Sequence, residues 1–443
     1  MPTLKPRHRR RLIQASPVKK KRGERGAPTT LLTLSDDTLR RALAHVPLQS
    51  HGALAQTCKR LKDVKERRQF RRERANSGCE ESVLIVTGGN DARDDTWNET
   101  KFVLQAVGSW RTRPQQNPNP LLRLPRAVQE MDLVSGNGGG HAVVNGELFV
   151  VGAVSLCGLP SASLSAYDVG GDAWRDSYAH ARRSRRNATP CPPPPEARAA
   201  AAVGAIGDLL VVAGGESDEA VVVPDEDEDG FLACNLEIVA RCQAFDTRTR
   251  EWTRIEEMPL GVAHAASAIV GGKLYVAGGV FTDGLADGLE DESDQLQVFD
   301  SVGWTSERID LPGDRSSSRF PGSTCGVARD GEFVVVCGGS REHEIVEEED
   351  EPVFELVEAA PRTYAYDVRA RSWRALPALP ELREGSSVAA HGGDLYVVGG
   401  ISPSDRAPPL VLRAGATAWA PAPGAPDELG ALERPALASV VLG

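Results

Sequence analysis

Short runs of β-branched and other apolar residues recur along most of the chain, and each ends in Gly-Gly or, once, in Gly-Ala. Six such runs end at residues 89, 153, 215, 279, 339 and 400, at intervals of 60 to 64 residues. Short apolar runs bounded by glycine are typical of buried β-strands, and a fixed interval indicates a repeated structural unit. The pattern predicts six similar β-units.

A second periodic signal is an aromatic-Asp pair that stands seven residues before a tryptophan. Six of the seven tryptophans follow the apolar runs one apiece. The spacing extends to Val103–Trp110 and Leu412–Trp419, and it shortens to five residues in the fourth unit. We interpret it as two strands joined by a tight turn, with no chemistry of its own. The full examples are Tyr167-Asp168 with Trp174, Phe245-Asp246 with Trp252, and Tyr366-Asp367 with Trp373.

Each unit is predicted to contain four short strands. An apolar strand leads through a glycine-rich turn, such as Asn145-Gly146 or Gly392-Gly393, into the strand that ends in Gly-Gly. Four-stranded sheets repeated radially form a propeller, so the fold is predicted to be mostly β, with six blades over residues 81–443. The first unit lacks a leading strand, and the C-terminal ALASVVLG (436–443) resembles one. We expect this strand to complete the first blade.

Residues 31–75 follow a helical period and predict a small α-helical module. Ser35 is placed to cap a first helix that carries Asp36 and Asp37 in its first turn. The apolar positions of the two predicted helices are Leu39, Leu43 and Val46, before Pro47, and then Leu54, Cys58 and Leu61.

The net charge of −11 conceals two regions of opposite sign. Residues 1–77 contain 21 Lys and Arg against 6 Asp and Glu, a net +15, so the remainder carries −26. Residues 1–30 are predicted to be a disordered basic tail. The runs RHRRR (7–11) and KKKR (19–22) resemble a nuclear import signal, which predicts a nuclear and/or cytoplasmic location. A nucleic-acid-binding arm and an organelle transit peptide are the alternatives.

The sequence favours neither a membrane-spanning protein nor a disulfide-rich protein. No run of 18 apolar residues exists, which argues against a membrane span. Eight cysteines are scattered without CxxC or zinc-ligand spacing, so we expect reduced thiols.

The array of apolar run, Gly-Gly, Tyr-Asp and Trp resembles the kelch repeat, and residues 31–74 resemble an F-box. Together they resemble the F-box/kelch-repeat family, which implies a kelch-type propeller that binds a protein substrate. The F-box resemblance implies docking to a Skp adaptor and a cullin complex of a ubiquitin ligase. The interface residues that it implies are Leu32, Leu34, Leu39, Leu43, Val46, Pro47, Leu54, Cys58 and Leu61.

Loop length varies mainly on one rim of the predicted propeller, where binding usually resides. Three loops there (216–229, 283–294 and 342–358) carry 8, 6 and 9 carboxylates, which favours basic protein segments and makes nucleic acid an unlikely partner. The alternative is that these loops are disordered and merely solvated. The residues assigned to a substrate-binding rim are Arg126, Arg198, Arg383, Asn90, Ser340 and Arg341.

The three arginines among these occupy positions that face the central channel in kelch domains, by resemblance. They could pair with carboxylates of a ligand, or they could tie blades together through backbone carbonyls.

An intrinsic active site is not indicated. Kelch-type copper oxidases use His and Tyr ligands, but the 8 His and 6 Tyr here show no metal-ligand spacing. We therefore expect no cofactor, no bound metal and no catalytic residues. The function hypothesis is the substrate-recognition subunit of a Skp–cullin–F-box ubiquitin ligase. The alternatives are a kelch scaffold without a ligase link and a small-molecule or metal-dependent kelch enzyme.

Overall fold

The structure is a computed structural model that divides into two compact units, residues 1–77 and 78–443. The described residues are 35–45, 81–87, 90–91, 96–97, 100–104, 110–114, 140–152, 160–168, 173–176, 191–219, 235–282, 290–312, 320, 324–348, 351–402, 407–433 and 435–442.

The N-terminal unit contains one described helix, α1 (Asp36–Ala44). The Ser35 side chain accepts a hydrogen bond from the Thr38 N–H at 3.2 Å, so the predicted N-cap is confirmed. Leu39 and Leu43 are 0% and 5% exposed, which makes their shared face the buried one. The predicted second helix lies outside the described residues. In the part of the chain that the structure describes, no helix is long and apolar enough to span a membrane.

The second unit is a β-propeller, and the chain is mostly β. Five four-stranded antiparallel sheets each come from one consecutive stretch, and we call them the second to sixth sheets in chain order. The second contains β6 (Gly140–Val144), β7 (Glu147–Val151), β8 (Leu164–Asp168) and β9 (Ala173–Asp176); the third contains β10 (Ala202–Ile206), β11 (Leu209–Ala213), β14 (Cys242–Asp246) and β15 (Glu251–Ile255); the fourth contains β16 (Ala266–Val270), β17 (Lys273–Ala277), β20 (Gln295–Phe299) and β21 (Trp304–Arg308).

The fifth and sixth sheets repeat this plan. The fifth contains β22 (Thr324–Arg329), β23 (Glu332–Cys337), β26 (Arg362–Asp367) and β27 (Ser372–Leu376); the sixth contains β28 (Ser387–His391), β29 (Asp394–Val398), β30 (Leu410–Leu412) and β31 (Ala420–Pro421).

The first sheet combines both ends of this unit. Its strand order is β33 (Ala436–Leu442), β1 (Glu81–Thr87), β4 (Thr100–Leu104) and β5 (Trp110–Pro114). The C-terminal strand β33 pairs with all seven residues of β1, from Glu81 opposite Leu442 to Thr87 opposite Ala436. This pairing covers an edge of β1 that would otherwise be open.

The innermost strand of each sheet contacts the innermost strands of both neighbouring sheets. The contacts run in sequence through β6, β10, β16, β22 and β28 to β33, which contacts β6 again. Apolar side chains fill the space between adjacent sheets, where Tyr275 of the fourth sheet lies 6.0 Å from Phe333 of the fifth between ring centroids. The core is therefore distributed between neighbouring sheets rather than gathered in one place.

Smaller strand pairs extend beyond the ring of sheets. They are β12 (Glu216–Glu219) with β13 (Asn235–Ile238), β18 (Val280–Thr282) with β19 (Glu290–Glu292), β24 (Ser340–Glu348) with β25 (Glu351–Ala359), and the group β2 (Asn90–Asp91), β3 (Thr96–Trp97) and β32 (Leu432–Glu433). A short 3-10 helix, Asp427–Ala431, precedes β32.

Both hairpin turns of a typical sheet follow from the sequence. Asn145 and Gly146 have φ angles of 52° and 77°, so the predicted positive-φ turn is confirmed there. Phe245 and Trp252 are directly opposite in the outer strands, with ring centroids 5.2 Å apart. The shared Asp has a role that the sequence did not suggest, because its carboxylate accepts N–H bonds from the turn that follows. For Asp246 these bonds hold its pKa below the usual value.

One pairing in the first sheet differs from the prediction. Leu104, and not Val103, lies opposite Trp110, while Val103 pairs with Arg111. The turn between these strands is one residue shorter than the seven-residue spacing requires.

The glycine that ends several of the apolar runs, the first of a Gly-Gly or Gly-Ala pair, permits a close backbone approach between sheets. A Cβ atom added to Gly338 would lie 2.0 Å from the carbonyl oxygen of Arg383, which belongs to the segment leading into the next sheet. The same approach occurs between Gly152 and Arg198, at 2.1 Å, and recurs at Gly399. Glycine is required at these positions by space rather than by turn chemistry alone.

We predict that Gly338→Ala lowers the free energy of unfolding by about 3 kcal/mol, because the added methyl group must displace backbone. The matched control is Gly207→Ala. Gly207 has φ +62° but nothing within 4 Å of an added Cβ, so only about 1 kcal/mol of backbone strain is expected. Urea denaturation of both variants measures the difference. Equal losses of unfolding free energy in the two variants would show that the close backbone approach at Gly338 adds no cost of its own.

Candidate functional site

The candidate site is the rim of the propeller that carries the long loops. Because the sheets are antiparallel, the loops between second and third strands emerge at the same end as the segments joining successive sheets. Three strand pairs, β12/β13, β18/β19 and β24/β25, lie within these loops. Each of the first two joins a segment between sheets, through the bridges of Ala199 with Glu216 and of Ala263 with Val280. The rim is therefore built on backbone pairing.

Parts of the acidic loops are assigned to strand pairs. Nearly all of 342–358 lies in the hairpin of β24 and β25, in which Ile345 is opposite Phe354 and Val346 is opposite Val353. Alternating β-branched and acidic residues suit a strand pair. Residues 220–229 and 283–289 lie outside the described residues.

A carboxylate and an imidazole meet on this rim next to the innermost strands. The His264 Nε2–H donates to Glu216 Oε1 at 2.9 Å, and the two side chains are 29% and 14% exposed. The His264 backbone is held in the left-handed region, at φ 57°. Its N–H donates to the Ala200 carbonyl, and its carbonyl accepts from the Thr324 hydroxyl at 2.9 Å. The backbone of His264 is thus fixed by hydrogen bonds to Ala200 and Thr324.

Sequence reasoning counted Glu216 only as one charge of an acidic loop and missed His264. The two residues are 48 positions apart, so no local spacing relates them. A weak signal was available, since both flank repeat landmarks: Glu216 directly follows a Gly-Gly pair, and His264 shortly precedes a leading strand.

Arg198 is a buried structural residue, which corrects the prediction that it faces the channel as a binding group. It is 1% exposed and donates from Nη1 to the Ala197 carbonyl at 2.8 Å and to the Ser217 hydroxyl at 2.9 Å. It also pairs with Glu196. These contacts connect the segment between sheets to strand β12, while the buried Nε–H of Arg198 has no hydrogen-bond partner among the described residues.

Glu196 is the centre of an arginine cluster that the sequence did not indicate. Besides Arg198, it pairs with Arg241 at 3.1 Å and with Arg254 at 2.7 Å. Burial raises the pKa of Glu196, but the hydrogen bonds and charges of Arg198 and Arg241 outweigh it and hold the pKa below the usual value. The carboxylate therefore stays ionised and links three chain segments.

Arg383 is buried like Arg198, so the prediction that it faces the channel as a binding group is corrected there too. It is 0% exposed, and it donates to the carbonyls of Pro408 and Ala407 at 2.6 and 3.4 Å and to Glu381 at 3.1 Å. Burial lowers its pKa, and the charge of Glu381 opposes the shift. Both arginines bond to backbone carbonyls, Arg198 to that of its neighbour Ala197 and Arg383 to those of Ala407 and Pro408, while the tying of one blade to another stays a prediction.

The remaining predicted rim residues are only partly described. The backbones of Asn90 and Ser340 directly follow Gly-Gly pairs and begin β2 and β24, and Arg341 lies opposite Glu358. Arg126 lies outside the described residues. The structure thus brings Asn90, Ser340 and Arg341 to the rim as backbone positions, while their use in binding stays a prediction.

The predicted Skp-adaptor interface is described only in helix α1. Leu39 and Leu43 are buried within the chain as it stands. Leu32, Leu34, Val46, Pro47, Leu54, Cys58 and Leu61 lie outside the described residues. Within the described ranges, no three or more His, Cys, Asp or Glu side chains are grouped so that they could hold a metal ion.

The fold and this rim define a class of proteins, the β-propellers that present loops from one face of a rigid ring. Residues 140–400 match the family model of the KLHDC2/KLHL20/DRC7 Kelch-repeats domain, and residues 31–73 match the F-box domain. The first match covers more than half of the chain, so the protein belongs to the kelch-repeat family, and an F-box precedes its repeats.

The chain is also similar to the Kelch-like protein terF of Aspergillus terreus. The two are 28% identical over 195 residues, which cover 44% of this chain and 37% of that protein. The match therefore spans little more than a third of the relative's length.

We predict that Arg383→Met lowers the free energy of unfolding by about 2 kcal/mol, because two buried carbonyls lose their charged donor. The matched control is Arg254→Met, whose side chain is 75% exposed and whose ion pair is expected to contribute less than about 1 kcal/mol. Chemical denaturation compares the two. Unchanged stability of Arg383→Met would return this residue to the list of binding groups.

Proposed function

We propose that the protein is the substrate-recognition subunit of a Skp–cullin–F-box ubiquitin ligase. The observation that carries the proposal is the order of the two family matches, an F-box at 31–73 followed by kelch repeats at 140–400. The F-box would dock the Skp adaptor, and through it the cullin complex. The propeller would hold the protein to be ubiquitinated, while partner subunits carry out the transfer.

We further propose that the first sheet acts as a sixth blade and that all six sheets form one closed kelch propeller. The support is that its strand order, β33-β1-β4-β5, runs from an innermost strand outward like those of the other sheets. A closed ring would hold the rim loops at fixed separations, which reduces the ordering cost of binding a partner.

The substrate class that we propose is a protein with basic segments. The region after residue 77 carries a net charge of −26, and the acidic stretches lie in loops of the long-loop rim. Fixed carboxylates such as Glu216 accelerate encounter with lysine- and arginine-rich chains and disfavour nucleic acid. The nuclear and/or cytoplasmic location is proposed from the basic runs at 7–11 and 19–22, which lie outside the described residues.

A kelch scaffold without a ligase link is the second candidate. The burial of Leu39 and Leu43 favours it, because a helix face that the chain itself already covers is not free to bind an adaptor. In that case residues 31–75 would serve the stability of the N-terminal unit.

A pull-down of the full chain with a purified Skp adaptor separates the two candidates. We expect the wild type to bind and Leu39→Asp to lose binding, because a carboxylate at a fully buried position is strongly destabilising to the module. The matched control is Ala42→Asp, which adds the same charge at an exposed position of helix α1 and should retain binding. Thermal unfolding of the propeller should be the same in all three.

Absence of wild-type binding would reject the ligase proposal and leave the scaffold. Binding that survives Leu39→Asp would place the adaptor contact elsewhere in the chain.

A further inference from the structure

Two histidines form hydrogen bonds with the C-terminal strand β33, one from each neighbouring sheet. The His141 Nε2–H, on the innermost strand β6, donates to the Leu437 carbonyl of β33 at 3.0 Å. On the other side, His391 at the end of β28 hydrogen-bonds through Nδ1 with the Ser439 hydroxyl at 3.1 Å. Strand β33 contacts both β6 and β28. The two imidazoles therefore lie at the two interfaces between β33 and the innermost strands of its neighbouring sheets.

The other innermost strands carry no histidine. His141 lies opposite Val150, and the residues in the same register of the third, fourth and fifth sheets are Val203, Ser267 and Cys325. Of these only Cys325 is ionisable, and burial raises the pKa of its thiol to about 12. Near neutral pH, protonation can therefore add a charge at the histidines that flank β33. It cannot do so at the equivalent positions of the third, fourth and fifth sheets.

Burial disfavours the charged form of both histidines. Burial lowers the pKa of His141, and the hydrogen bond to the Leu437 carbonyl opposes this only in part. Burial also lowers the pKa of His391, against the opposing charge of Asp394 on β29. The ring of Tyr396, also on β29, packs edge-on against His391 with centroids 6.2 Å apart. For His391, the lowering of the pKa by burial outweighs the raising of the pKa by the Asp394 carboxylate.

The direction of the pH effect follows from these shifts. When β33 detaches, both imidazoles reach water and regain the ordinary pKa of about 6.5. The attached state has the lower pKa, so its stability is fully present above pH 6.5 and is lost as the pH falls below that value. Each histidine makes opening easier by up to about tenfold per pH unit in this window.

We propose that β33 is an acid-sensitive latch: protonation of His141 and His391 releases the closing strand from its two neighbours before the remaining sheets unfold. Strand β33 would then be held only by its pairing with β1, and opening of that ladder would uncover the edge of β1 and detach the first sheet from the ring. Segments that lie next to β33 in sequence would loosen with it, including Leu432, whose carbonyl accepts from the Gly400 N–H at 2.7 Å. This inference does not depend on the proposed ligase function.

Hydrogen exchange of the full chain, followed by mass spectrometry between pH 7.5 and 5.5, tests the latch. The quantity is the exchange rate of peptides covering 436–442 divided by that of peptides covering 273–277 in β17, which removes the intrinsic pH dependence of exchange. In the wild type this ratio should rise as the pH falls, by up to about tenfold per unit for each histidine. In the double variant His141→Gln, His391→Asn it should stay constant, because each amide retains a hydrogen-bonding group but cannot be charged.

The control variant is His264→Gln, whose imidazole bonds to Glu216 away from β33 and which should keep the wild-type response. A constant ratio in the wild type, or an unchanged rise in the double variant, would overturn the latch. Should the double variant fail to fold, titration of the wild-type imidazoles by NMR decides the matter. Values below 6.5 for both His141 and His391 support the latch, and ordinary or raised values overturn it.

Discussion

The propeller depends on the close approach of one sheet to the segment that leads into the next. At Gly338 and Gly152 this approach leaves no room for a Cβ atom, because the carbonyl of Arg383 or Arg198 occupies the space. A contact of this kind sets the distance and angle between neighbouring sheets. Repeated around the ring, it lets the aromatic residues of each outer hairpin fill the gap between sheets, and it determines where the rim segments begin.

The buried arginines are a consequence of the same contact. The residue whose backbone packs on the glycine sends its side chain inward, where Arg198 and Arg383 satisfy carbonyls of the connecting segments. A charged group in such a place is stable only when it is hydrogen-bonded and paired, and Glu196 and Glu381 supply the pairing. Structural demand, rather than ligand binding, explains these two side chains.

The polar groups that are exposed on the rim come from residues other than these arginines. Glu216 and His264 form a partly exposed pair above this buried layer, and the acidic hairpins extend beyond it. This negatively charged rim is the basis of the proposal that the propeller binds a basic protein segment. Strand β33 is flanked by His141 and His391, and there we propose that the stability of the propeller depends on pH.

The sequence by itself determined the repeat, the strand-turn-strand character of each unit and the cap of helix α1. These are local properties: β-branched runs, positive-φ turns such as Asn145-Gly146 and the N-cap at Ser35 depend on neighbours a few residues away. Even the opposed pair of Phe245 and Trp252 follows from a turn of fixed length.

Only the tertiary structure decided which polar groups are available to a partner. Burial and pairing depend on segments far apart in the chain, so linear spacing did not reveal that Arg198 and Arg383 are enclosed, nor that Glu216 meets His264. The same reason applies to strand β33, which His141 and His391 contact from opposite sides although they are 250 positions apart in the chain.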